Sequence, residues 1–285
     1  MKNKLSFLSI PYVIWMALFT VAPIVMVLVY AFTSDAGGFT MEHFSDMGIY
    51  AVVFGRSFRL ALIATVFCVL IGYPVSYFMA KEGPGIQRVA MLLIMLPMWI
   101  NFLLRTYAWM SILDNNGLLN RLFQSIGLIS LYNSIFGTNL EFFPMLNTPG
   151  AVVLGMVYNY LPYMILPLYS TILKIDHRLI EAAEDLGCNS VQVFGRVILP
   201  LSAPGIFTGI TMVFVPAVST FYISQKLGGT DTVLIGDVIE RLFKQGQNQN
   251  LGAALSLVLM ALVFVCTDIM NRFGGEKDEE GGVIV

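Results

Sequence analysis

Residues able to do covalent or metal chemistry are few in this chain and badly placed for it. There are two histidines and three cysteines in 285 residues. His43 and His177 fall outside the long apolar runs, Cys68 and Cys266 fall inside them, and Cys188 lies in a charged stretch. No H-E-x-x-H, no pair of aspartates within an apolar run and no Ser/His pair is present, which argues against an intramembrane enzyme. The nucleotide-cradling G-x-x-x-x-G-K-[ST] is also missing. The thiols have neither disulfide-framework nor metal-cluster spacing and read as small buried residues.

The chemistry that remains is non-covalent and of two kinds. Polar and aromatic side chains recur inside apolar runs: Trp99, Asn101, Asn159, Tyr160, Tyr163, Ser219, Thr220 and Tyr222. At about 1.5 Å per helical residue, counted from Thr148, Asn159, Tyr160 and Tyr163 fall near the middle of their run. Trp99 and Asn101 have comparable depth in another, and Ser219, Thr220 and Tyr222 approach the end of a third. Aromatic faces hold cations with about 0.5–2 kcal/mol each, weak enough for release. Lipid-facing anchors and helix-packing aromatics are the competing explanation for these residues. The second kind is a dense charged segment, 174–200, set between two apolar runs.

The elements that must position these groups follow from composition. Hydrophobic residues make up 57% of the chain and charged ones 12%, where soluble domains carry about a quarter charged. This is the balance of an integral membrane protein. A net charge of −2, with no reader motif, leaves no face for nucleic acid. Runs of about 20 apolar residues recur at 8–32, 57–80, 89–113, 148–173, 202–225 and 251–271. Unbroken runs of this length suit helices rather than barrel strands, and they predict an all-α membrane protein of six transmembrane helices. The first run lacks a cleavage signature and reads as an uncleaved span.

The Lys/Arg bias favours an inside location for 1–7, the 81–88 loop, 174–200 and the tail from 274 to 285, so both termini are expected in the cytoplasm. The tail is Gly- and Glu-rich and is expected to be disordered. Arg105 is expected to snorkel outward and Asp268 inward. The outer loops should carry a short helix at 118–123 and an amphipathic one within 231–244. Outer acids, Asp237 among them, could attract cations.

Within 174–200, Leu179, Ile180, Ala183 and Leu186 share helical spacing, and Gly187 follows where a left-handed C-cap belongs. Ser190 is a candidate N-cap for a second helix, and Pro200 is expected to end it. The product is a helix–Gly–helix elbow. A surface for another protein and an amphipathic hairpin packed under the bundle fit that pattern equally.

The spacing Glu181-Ala182-Ala183, then Gly187, then Val197, then Leu199-Pro200 resembles the EAA motif of binding-protein-dependent ABC importer permeases, with Val where Ile is usual. Segments 155–163, 166–169, 214–217, 227–229 and 234–236, with Leu96-Pro97, Asn101 and Arg105, are similar to the spermidine/putrescine permeases. The resemblance covers about residues 10–271 and implies a type I importer permease (MetI-like) fold over 8–273. It further implies that the elbow couples to an ATPase homodimer (PotA-type), which binds the ATP and Mg. A second permease (PotC-type) and an external polyamine-binding protein (PotD-type) would complete the assembly. This chain would bind no cofactor itself and would contact membrane lipid. Amino acids, phosphonates and iron complexes are alternative cargoes, and a scaffold without transport is the alternative outside transport.

Overall fold

The computed structural model of the protein describes residues 10–34, 37–230, 232–244, 246 and 248–274. The segments read as a cytoplasmic N-terminus, 1–7, and as a disordered tail lie outside these residues, save Gly274, which closes the last helix. The described chain is helical apart from an isolated Thr33–Phe39 bridge. Five helices are long and apolar enough to cross a membrane, and a bent pair brings the number to six if it forms one span.

The chain divides into two compact units, Met1–Val52 with Val238–Phe264 and Val53–Asp237 with Val265–Val285. In the first, helix α1 (Pro11–Ala31) carries a π turn at Ala17–Val21. Ala31 packs against Ala253 and Ala254, small residues that let two backbones approach, with Phe32 and Phe44 stacked beside them at 5.0 Å. The rest of α1 presents its apolar side chains outward, as suits a helix in lipid.

The second unit contains α2 (Ala51–Lys81), α3 (Pro84–Trp99), α4 (Phe102–Leu113), α5 (Leu118–Ser125), α6 (Leu128–Phe136) and α7 (Pro149–Leu173). After these come α8 (His177–Asp185), α9 (Ser190–Val218), α10 (Tyr222–Leu227), α11 (Ile235–Lys244) and α12 (Gln249–Gly274), the last two shared with the first unit. Helix α7 is central here. Its Met164, Leu168 and Ile172 form one core with Cys68 and Tyr73 of α2 and Val213 of α9. Close approach is what glycine permits: a Cβ on Gly209 would lie 2.6 Å from Met164 Sδ, and one on Gly205 3.0 Å from the Pro167 carbonyl.

Several sequence expectations change. The run 89–113 is broken, not continuous: α3 and the helical stretch after it bend by 91° at Ile100–Asn101. Both residues are extended, and the Asn101 side chain accepts the Leu103 amide at 2.8 Å, capping α4. The run 202–225 ends at Val218, and Tyr222 begins a separate short helix. The expected helix at 118–123 forms as α5, but α6 beyond it was not foreseen. Asp237 is no surface acid. It is buried and accepts the Leu234 amide at 2.8 Å, at the start of α11. Asp268 pairs with Arg272 one turn on, at 2.9 Å. Of the thiols, Cys68 is buried, whereas Cys188 and Cys266 are half-exposed.

Candidate functional site

The elbow is built by local capping chemistry. Asp176 caps α8, its carboxylate accepting the Arg178 amide at 3.0 Å. At the other end Gly187 takes φ +85°, with its amide donating to Glu184 O and that of Cys188 to Ala183 O, at 2.8 and 3.1 Å. This is the paired closure of a Schellman motif, which wants glycine for its left-handed residue. The next cap is Asn189 and not Ser190. Asn189 Oδ1 accepts the Gln192 amide and Gln192 Oε1 accepts the Asn189 amide, each at 2.9 Å, a capping box that Ser190, inside the first turn, cannot make.

Pro200 does not end the second helix. A π turn at Phe194–Ile198, in which the Leu199 amide reaches back to Phe194 O, opens the ladder just before the residue that has no donor. Helix α9 therefore runs unbroken from Ser190 to Val218. Phe194 fixes its base edge-on to Tyr73 and Tyr77, both at 5.5 Å.

The elbow has one face turned to the protein and one turned away from it. Ile180, Val193 and Ile198, with half-buried Ala183 and Val197, face inward, while Glu181, Ala182, Gly187, Leu199 and Pro200 are exposed. Among the described residues Glu181 meets a neighbour on its own helix, His177, at 3.3 Å. Leu186 is 87% exposed and Val191 79%, large apolar groups of the kind a soluble partner covers. Behind the elbow a cavity of about 500 Å³ is lined by Tyr77, Lys81, Ile172, His177, Ile180 and Glu184, among others. The elbow is thus held through α9 more than through continuous packing.

The remaining candidates do not form one site. Tyr160 and Ser219 converge: Tyr160 Oη donates to Pro216 O at 3.3 Å, and Ser219 Oγ reaches the same carbonyl at 3.4 Å and that of Val215 at 3.2 Å, with buried Thr220 next in the chain. The Pro216 carbonyl belongs to the end of α9, where no further turn supplies a donor. Tyr163 is partly exposed, its ring 6.5 Å from that of Tyr160.

The Arg105 guanidinium lies 5.9 Å from the ring of Phe102, three residues back on α4. It does not snorkel freely, since Nε and Nη1 are buried without hydrogen-bond partners among the described residues. The residue as a whole is half-buried. Asn159 is 3% exposed and donates to Gly155 O at 2.8 Å, so its side chain belongs to the packed interior in this conformation. Trp99, 73% exposed, and Asn101, a helix cap, take no part in the cluster.

Tyr222 belongs to a second group that sequence reasoning missed. Its ring lies 5.9 Å from Phe102 and 6.2 Å from Tyr107, and Lys226 Nζ sits 5.4 Å from the Tyr107 centroid and 5.8 Å from that of Tyr222. The group is anchored where α10 packs on α7 at Gly155 and where the Asn147 amide donates to Leu227 O at 2.9 Å. The available signal was the four-residue interval from Tyr222 to Lys226, which stacks side chains if the segment is helical.

Residues 72–273 match the family described as binding-protein-dependent transport system inner membrane component. The chain belongs to that family. It is accordingly a multi-pass protein of the bacterial inner membrane, and the elbow lies well inside the matched region. Among relatives, the spermidine/putrescine transport system permease protein PotB of Haemophilus influenzae is 39% identical over 290 residues, covering 98% of each chain. PotB of Escherichia coli K12 is 36% identical, covering 86% of this chain and 88% of its own. In structure, this inner membrane component is similar to a bacterial ABC transporter involved in import of the acidic polysaccharide alginate. The TM-score is 0.73 at 18% identity, over 95% of this chain and 94% of that one. The MetNI methionine ABC transporter gives 0.58 at 17% identity, over 81% and 96%. At such identities the likeness is one of fold, that of the type I importer permeases.

Proposed function

We propose that this chain is one transmembrane half of an ATP-driven importer for polyamines. The relatives named for spermidine/putrescine transport, at 36–39% identity across most of their length, support that cargo. The observation that carries the mechanism is the continuity of α9, from the elbow's capping box to the carbonyl gripped by Tyr160. A partner ATPase docks on Glu181, Ala182, Gly187 and Leu186, with Ala183 behind them on the inward face, and its closure moves the elbow. A rigid helix passes that displacement to the far end, where Tyr160, Tyr163, Ser219 and Thr220 stand beside the path. Hydrolysis and nucleotide binding belong to that partner, and this chain contributes no catalytic group. A second permease completes the path, and an external binding protein delivers the cargo. The elbow and both termini face the cytoplasm in this arrangement.

A second reading of the cargo rests on Arg105. Two buried guanidinium nitrogens without acceptors among the described residues favour a solute that brings oxygen acceptors, such as an amino acid or a phosphonate, over a polycation. Uptake of radiolabelled spermidine and putrescine into vesicles holding the whole assembly decides between them. Polyamine uptake that unlabelled amino acids and phosphonates leave unchanged supports the first reading. ATP-dependent uptake of those anionic solutes, with none of polyamine, replaces it with the second.

A further inference from the structure

In the second aromatic group the ammonium of Lys226 approaches two tyrosine faces at once, at 5.4 and 5.8 Å, while the Arg105 guanidinium lies 5.9 Å from the third ring, Phe102. Those rings stand at 85° to one another, with Phe102 tilted at 52° to Tyr222 behind them, so the three make a corner open on one side. Among the described residues no carboxylate pairs with Lys226. Its charge is held by ring faces and by the carbonyl end of the short α10, in whose last turn it lies.

A lysine side chain is a primary ammonium on four methylenes, which is chemically one end of a linear alkyl diamine. We infer that the Tyr107–Tyr222 corner is a binding site for a terminal alkylammonium of the cargo, occupied by the chain's own Lys226 until cargo displaces it. The inference rests on the polyamine reading given above. The exchange keeps one positive charge on the rings throughout, so the rings are never left without their cation. A tethered occupant also sets a threshold, because free ammonium must outcompete a group held at high effective concentration. Such a site discriminates against cargo without an ammonium end and stays weak enough to release it.

The test uses the purified assembly with n-butylammonium as probe, read by saturation-transfer NMR, alongside polyamine uptake in vesicles. Lys226→Met, which keeps length and removes charge, should tighten butylammonium binding by about two- to fivefold, the strength of a cation–π contact at an exposed site. Tyr107→Leu or Tyr222→Leu in that background should abolish the gain. Unchanged binding in Lys226→Met, or a gain that survives loss of both tyrosines, overturns the proposal. If butylammonium binds as expected while the wild-type assembly takes up no polyamine, the corner stands as an ammonium site and it is the cargo reading that falls.

Discussion

Tyr160 donates its hydroxyl to the carbonyl of Pro216 at 3.3 Å, and the helix that ends two residues beyond Pro216 starts at the elbow. The contact ties central helix α7 to the far end of α9, so motion of the elbow has a defined point of arrival. Replacing Tyr160 by Phe removes one hydrogen bond, about 0.5–1.5 kcal/mol, and leaves the Pro216 carbonyl only the Ser219 hydroxyl, which it shares with the nearer Val215 carbonyl. Uptake by vesicles should fall about two- to tenfold, with cargo capture by the isolated binding protein unchanged. Wild-type uptake would remove Tyr160 from the transmission path.

Gly187 holds φ +85°, a conformation that costs a side-chain-bearing residue about 1–2 kcal/mol. Gly187→Val should loosen the Schellman closure and lower cargo transported per ATP by about five- to thirtyfold. Gly187→Asn, better tolerated in that region, should lose less. Protease sensitivity at the elbow, compared across the two variants, reports the strain directly. Equal behaviour of Val and Asn would contradict the role given to this backbone.

Gly205 lies against Thr171 and the Pro167 carbonyl, 2.6 and 3.0 Å from where a Cβ would stand. Gly205→Val should overpack the α7–α9 contact at a cost of about 1–3 kcal/mol. The thermal unfolding midpoint of the detergent-solubilised protein should drop by several degrees. An unaltered midpoint would mean that these helices separate at little cost.

The charge bias predicts orientation. A reporter enzyme fused at Asn189 should read as cytoplasmic, since the segment 174–200 lies on the Lys/Arg-rich side. An external signal would invert the topology and remove the elbow from any ATPase.

The elbow was legible in the sequence because capping is local chemistry. Gly187 declares its own conformation, and the second cap missed by one residue only because Asn189 and Ser190 are both good caps. Pro200 misled for a related reason. A proline forbids one hydrogen bond, and the π turn at Phe194–Ile198 had already displaced the ladder that would have needed it. Apolar run length gave six spans, but length carries no record of a bend. The break at Ile100–Asn101 depends on a side-chain cap that competes with helix continuation. The apolar run 202–225 takes in Tyr222 and stops one residue short of Lys226. Only the separate helix α10 shows them to be neighbours.

The claim that the elbow is a docking surface is tested most directly at Leu186, whose side chain is 87% exposed and absent from the core. Leu186→Asp should leave folding and membrane insertion intact. The decisive measurement is the number of cargo molecules taken up per ATP hydrolysed by the assembly in vesicles. The account predicts that this ratio falls at least about tenfold, the consequence of about 1.4 kcal/mol lost at a desolvated contact. A ratio equal to that of the wild type would contradict it.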